Sequence, residues 1–289
     1  MKRTFAALVL FASLLSGTAL AQNKPAFVFT AIPDADETRL VERFTRVAEY
    51  LQKKLGIAVK YLPVKSYPAA VTAFTNNQVQ MAWFGGFTGV QARRQVPGSE
   101  AISQGAEDVA FKSYIIANVK TGLAQTKDFP TAIAGKSFTF GSRASTSGRL
   151  MPEFFLRKQF GGRSPDEIFS RVGFSGDHSR TIKLVQSGAY EVGVVDYTVW
   201  ELEKKARKID ESQVKVIWES STFPDYNWSV RGDVDEVYGD GFKEKLRAVL
   251  LAIDDPAILS QFARSKFISA KNSDYAPIEE VAKVTDLLN

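Results

Sequence analysis

The sequence predicts an α/β protein of two lobes with a ligand cleft between them. Apolar runs of strand length alternate with amphipathic helical runs, the connections are short, and the alternation begins afresh after Pro130 and Gly135. Residues 26–32 read as a buried strand stopped by Pro33. Asp36-Glu37-Thr38 then opens a helix that carries Leu40, Phe44, Val47, Leu51 and Leu55 at helical spacing, and Gly56 closes it. A strand at 59–64, a short helix at 68–74 and a strand at 80–84 running into Gly85-Gly86 continue the series. A helix at 88–94 and strands near 101–104 and 113–119 complete it. This order of elements is that of parallel βαβ units.

The second series has strands at 137–140, 172–174, 192–195 and 214–218, with helices at 146–160, 179–187 and 198–206 between them. The chain then runs through Pro224–Trp228 into helices at 241–253, 256–262 and 277–288. Extended segments at 115–119 and 215–218 would join the lobes. The first lobe is therefore expected to comprise 22–114 with 219–289, and the second 115–218.

Residues 1–21 have the form of a secretory leader: Lys2 and Arg3 precede the apolar stretch 5–15, and Ala19-Leu20-Ala21 supplies small residues for cleavage before Gln22. No later stretch approaches the ~20 apolar residues of a membrane span. The expected product is a freely diffusing periplasmic protein without stable membrane insertion. The chain has no cysteine, which removes disulfides, thiolate metal sites and a lipid-bearing cysteine. Without Lys2 and Arg3, 35 basic residues stand against 32 acidic ones, too slight an excess to point to nucleic acid. The densest basic cluster, Lys204-Lys205-Ala206-Arg207-Lys208, is flanked by acids and reads as a solvated helix face.

Ligands of such sheets sit outside the carboxyl ends of the strands, where helix N-termini converge. Four points qualify. Ser145-Thr146-Ser147 follows the strand at 137–140 and opens a helix, so hydroxyl donors lie beside unpaired backbone N–H groups at the positive end of a helix dipole. Capping explains one hydroxyl of the three. Gly85-Gly86-Phe87-Thr88 follows the third strand, Tyr67 precedes the Pro68 helix, and Gly176-Asp177-His178 presents the chain's single histidine at a helix start. Tyr67 and Phe84 are candidate wall aromatics, while Trp83 reads as packing. Asp196 ends the strand at 192–195, either as the cap of the next helix or facing the ligand. A carboxylate beside an oxyanion repels it unless a proton lies between them, so an Asp196 that faces the ligand selects monoprotonated phosphonate, phosphite or phosphate over sulfate or selenate.

The segments VQMAWFG at 79–85, AGKSFTFGSRASTSG at 134–148, FSGDH at 174–178 and VGVVDY at 192–197 resemble the phosphonate and phosphite substrate-binding proteins of ABC transporters. The resemblance spans nearly the whole mature chain and implies the two-lobed type II periplasmic-binding-protein fold, with a membrane permease as partner. It implies that Ser145, Thr146, Ser147 and His178 hold the oxyanion, that Tyr67 touches it and that Asp196 accepts a proton-mediated bond. Family members that take aminoalkylphosphonates place carboxylates where this chain has Thr198 and, within Pro224-Asp225-Tyr226-Asn227-Trp228, Tyr226. That difference implies a ligand with no ammonium group, with Tyr226 in the site. The opening Ile32-Pro33-Asp34-Ala35-Asp36-Glu37-Thr38 and the Pro224–Trp228 segment also resemble a branch of the family associated with selenate.

A monomeric binding protein without cofactor or metal is thus expected, rather than an enzyme. Ser145, His178 and Asp196 supply the residue types of a hydrolase, but no Gly-x-Ser-x-Gly elbow surrounds the serine. A single histidine without cysteine leaves only dispersed carboxylates for a metal. A sensor presenting its ligand-bound form to a membrane receptor would have the same sequence signature.

Overall fold

The computed structural model describes residues 24–288, and the leader read at 1–21 lies outside the described residues. Among the described residues, eleven strands occupy two sheets. The first sheet contains β1 (Phe27–Ala31), β2 (Val59–Tyr61), β3 (Met81–Phe84), β4 (Glu100–Gly105), β10 (Asn227–Val230) and β11 (Phe267–Ser269), in the order β11-β4-β10-β3-β1-β2. The second contains β5 (Ser113–Asn118), β6 (Ser137–Phe140), β7 (Arg171–Phe174), β8 (Val192–Asp196) and β9 (Val214–Glu219), in the order β7-β6-β8-β5-β9.

The helix Glu37–Leu55 shows why these sequences adopt these elements. Asp36 accepts the Thr38 N–H, Leu40, Phe44, Val47, Leu51 and Leu55 form the buried stripe, and Gly56 closes the helix at φ 74°. The stripe packs on the first sheet, where Phe44 meets Phe29 and Trp228 edge to face. In the second sheet, Phe138 stacks on Phe169 and Phe140 on Phe174, so that strand faces and helices close a separate core.

Strand direction follows the parallel βαβ reading only in part. β1 pairs in parallel with β2 and β3, and β6 with β7 and β8, whereas β10, β11 and the β5 pairings with β8 and β9 are antiparallel. Alternation of strand and helix carries no direction once a strand arrives from the other lobe. β10 and β11 went unread because four and three residues are too few to show a period, and their partners are distant in sequence. The second sheet also takes in Ser113, Tyr114 and Glu219, which the sequence reading gave to the first lobe, because the β5 ladders begin at Ser113 and reach Glu219.

The chain crosses between the sheets twice, at 106–112 and 220–226, and one buried cluster ties the crossings together. Phe111 and Phe223 exchange backbone hydrogen bonds of 2.9 and 3.0 Å, and the Asp225 N–H donates to the Asp108 carbonyl at 3.0 Å. Arg264 grips the Asp108 carboxylate with Nη2 to Oδ1 at 2.5 Å and Nε to Oδ2 at 2.8 Å, and both side chains are almost fully buried. Its guanidinium also lies 5.2 Å from the Phe111 ring centroid and 5.4 Å from that of Tyr226. Removing one member of a buried ion pair strands the other charge. Asp108→Asn is expected to destabilise the protein by about 3–5 kcal/mol, read as a lower midpoint in urea; an unchanged midpoint would show that the pair does not hold the crossings.

Candidate functional site

β6 delivers its chain into the Ser145-Thr146-Ser147 turn, and the first turn of the following helix is wide: Thr146–Leu150 is π-helical before regular α-helix begins at Met151. Ser145 Oγ accepts the Gly148 N–H at 2.9 Å, so this hydroxyl is the helix cap. Thr146 Oγ1 accepts the Phe87 N–H of the first lobe at 3.0 Å and contacts the Asp225 carboxylate. Ser147 is buried, and its carbonyl accepts the Ser113 hydroxyl at 2.7 Å.

His178 follows the Asp177 cap as the first residue of helix His178–Gln186. Its backbone N–H donates across the cleft to the Asp34 carbonyl at 3.1 Å. The ring Nδ1 accepts the Asp196 N–H at 3.2 Å, which places the ring proton on Nε2. Nε2 is buried and has no protein partner. The ring lies against the turn, since a Cβ added to Gly148 would sit 2.9 Å from His178 Cε1 and 2.9 Å from Ser145 Oγ. The close approach of histidine to turn therefore requires glycine at 148.

Tyr67 opens helix Tyr67–Thr75 behind the Ser66 cap, and its hydroxyl is likewise buried without a partner. Burial, reinforced by the carboxylates of Asp34, Asp196, Asp177 and Asp225, holds this phenol well above its ordinary pKa, so it remains an O–H donor. Asp225 Oδ2 is also buried without a partner. Asp225 Oδ1 accepts the Gly86 N–H at 2.9 Å, and burial pushes the carboxyl up to about 7 although the Gly86 and Thr146 donors pull it down. Gly85 leaves room for this junction, because a Cβ there would stand 3.1 Å from both Asp225 Oδ1 and Thr146 Oγ1.

The structure thus joins Tyr67, Thr146, His178 and Asp225, one of which the sequence reading did not select. It gives other work to three residues expected in the site. Asp196 caps helix Tyr197–Lys205: Oδ1 accepts from Thr198 N, Thr198 Oγ1 and Val199 N, and Oδ2 accepts the Tyr226 hydroxyl at 2.9 Å. Tyr226 accordingly spends its hydroxyl on Asp196 and stacks its ring on Trp83 at 5.4 Å. Phe84 packs edge to face on Phe74 in the first core, a consequence of β3 being buried on both faces. Asp225 sits in the segment read as a connection, and no spacing or cap pattern marks it.

The flanking arginines are also engaged elsewhere. Arg149 pairs with Glu153 and lies over the Phe140 ring, and Arg143 is exposed over Phe174. The buried donors left without a partner, Tyr67 Oη and His178 Nε2, are neutral, which suits a small desolvated oxyanion.

Comparison with known proteins decides the family. A model described as ABC transporter, phosphonate, periplasmic substrate-binding protein matches residues 29–275. The chain belongs to that family. Members are periplasmic binding components of ABC transporters, and the two-lobed fold is theirs. The chain is 38% identical over 266 residues to the probable ABC transporter phosphite binding protein PhnD1 of Prochlorococcus marinus, covering 88% of this chain and 87% of that one. The structure of that PhnD1 in complex with methylphosphonate superposes with a TM-score of 0.86 at 36% identity, covering 91% of this chain and 98% of the other. The phosphonates-binding periplasmic protein of Escherichia coli is 21% identical over 282 residues, covering 96% and 82% of the two chains. No helix among the described residues is long and apolar enough to cross a membrane.

Gly148→Ala is expected to push the His178 ring out of place and to cost about 1–3 kcal/mol of stability through overpacking. Because the chain has one histidine, its imidazole NMR signals report the displacement directly. Unmoved signals in the variant would show that the ring does not depend on the glycine.

Proposed function

We propose that this protein, exported by a leader at 1–21 and acting as a monomer, binds phosphite or methylphosphonate between lobes 22–114 with 219–289 and 115–218, and delivers it to an ABC-transporter permease. The observation that carries this reading is the trio of buried unpartnered atoms, two of them donors and one a carboxylate oxygen: Tyr67 Oη, His178 Nε2 and Asp225 Oδ2. The two donors, with the start of the 146–150 turn, face the charged oxygens, and Asp225 takes the oxygen that bears the proton. This gives Asp225 the selective role that the sequence reading gave to Asp196, whose carboxylate is already engaged by hydroxyl and N–H donors. Similarity to PhnD1, whose structure holds methylphosphonate, supports the ligand class.

Thr198 and Tyr226 reinforce the exclusion of amines. Both hydroxyls point to Asp196, Asp34 faces Arg43, Asp177 caps its helix, and Asp225 is needed for the phosphoryl proton. An ammonium tail would be buried without a counter-charge. Affinity for 2-aminoethylphosphonate is expected to fall at least about tenfold below that for methylphosphonate, or roughly 1.4 kcal/mol; equal affinities by calorimetry would refute this account of Thr198 and Tyr226.

The pH dependence follows from Asp225, whose carboxyl is pushed up to about 7. Below that pH the group is protonated and can donate to sulfate or selenate. Above it, a fully ionised anion can bind only if Asp225 takes up a proton, so sulfate affinity is expected to fall about tenfold per pH unit. Phosphite and methylphosphonate bring the shared proton as monoanions, so they bind ionised Asp225 where sulfate cannot; once they too lose that proton their affinity is expected to fall with pH, from a higher level than that of sulfate. Asp225→Asn, with an amide donor at every pH, is expected to flatten the sulfate profile and narrow the preference for phosphorus oxyanions by at least about tenfold. Titration calorimetry of the four anions at pH 6 and 8.5 tests this, and an unaltered preference in the variant would remove Asp225 from the site.

A further inference from the structure

Among the described residues, one ion pair joins the lobes: Arg39 of helix Glu37–Leu55 in the first and Glu203 of helix Tyr197–Lys205 in the second, with Nη1 and Oε1 3.4 Å apart. Glu203 is buried and pre-aimed from its own lobe, because its Oε1 accepts the Ser179 hydroxyl at 2.7 Å. Lys208, from the basic cluster that reads as a solvated face, stands 3.9 Å from Oε2 on the solvent side. Ser179 follows His178, and the helix of Glu203 starts from the Asp196 cap. The pair is therefore carried by the helix that Asp196 caps and braced by the helix that begins at His178, yet touches none of the site atoms.

We propose that Arg39 and Glu203 form a closure latch, a contact that stabilises the closed arrangement whatever anion is bound and so sets overall affinity without setting selectivity. The charges are solvated when the lobes part. When they meet, Glu203 is already held by Ser179 and less side-chain freedom is lost on pairing. Apparent affinity is the intrinsic affinity multiplied by the closed fraction, so a contact that changes only that fraction scales every ligand alike. This sets the latch apart from Tyr67, His178 and Asp225, whose loss changes the ranking of anions. Neighbouring charges do not supply the same link: Arg43 faces Asp34 at 3.8 Å and Arg264 holds Asp108, each pair lying outside the second lobe's sheet.

The proposal rests on the binding-protein reading, and its test separates the two. Arg39→Met is the informative variant, since Arg39 contacts Glu203 only on closure, whereas Glu203 also holds Ser179. It is expected to weaken phosphite and methylphosphonate binding by about fivefold each, leaving their ratio unchanged. Glu203→Gln is expected to add little to Arg39→Met in the double variant, because one contact is lost in both. Because the chain has no cysteine, Glu49→Cys and Lys183→Cys can carry spin labels on exposed faces of the two lobes. Electron–electron double resonance on the ligand-free protein is expected to show a smaller short-distance population in Arg39→Met than in the parent. Unchanged distances and affinities, additive effects of the two substitutions, or a changed ratio between ligands would overturn the latch. If the parent binds neither anion, the ligand reading fails, while the ligand-free distances still decide the latch.

Discussion

The Thr146 hydroxyl is the junction on which the arrangement of the cleft depends. It accepts a backbone N–H from Phe87 in the first lobe and meets the Asp225 carboxylate on the second crossing, while belonging to the turn after β6. One side-chain oxygen therefore registers three parts of the chain that are distant in sequence. Methyl or bulkier groups are excluded around it at Gly85 and Gly148, whose added Cβ atoms would crowd Thr146, Ser145 or His178. The crossing that brings Asp225 to this point is held in turn by Asp108, through its carbonyl and through the ion pair with Arg264.

Around this junction the molecule separates charge from recognition. Its buried arginines are committed to carboxylates or aromatic faces: Arg264 to Asp108, Arg43 to Asp34 and Phe262, Arg149 to Glu153 and Phe140. Left without partners around the junction are the neutral donors Tyr67 Oη and His178 Nε2 and one oxygen of Asp225, whose carboxyl is pushed up to about 7. Donors fixed in position discriminate by geometry and protonation, whereas a mobile cation would attract any anion of sufficient charge. In such a site the proton becomes the feature by which one tetrahedral anion is told from another.

Much of this was legible in the sequence because the signals were local. The helix 37–55 announces itself by its apolar spacing and terminal cap, and the hydroxyl turn, Tyr67 and His178 each stand at a helix start. The unread parts were non-local. β10 and β11 are too short to carry a pattern and exist because β3 and β4 offer them edges. Asp196 and Asp225 are both acids next to a tyrosine in sequence. Only packing distinguishes the one that caps a helix from the one left with an unclaimed oxygen, since that depends on where Thr198, Tyr226 and Gly86 bring their donors.

The antiparallel placement of β10 between β3 and β4 also dictates an order of assembly. β3 and β4 lie early in the chain, but the strand that joins them is not made until the entire second lobe has been synthesised, and β11 comes later still. The first sheet therefore remains open through most of translation, with a gap at its centre rather than an incomplete rim. Strand insertion across so long a separation in sequence is slow, because loop closure must precede the contacts that reward it. In a chain of this topology the lobe that is made first is the one completed last, because its central strand arrives only after the other lobe.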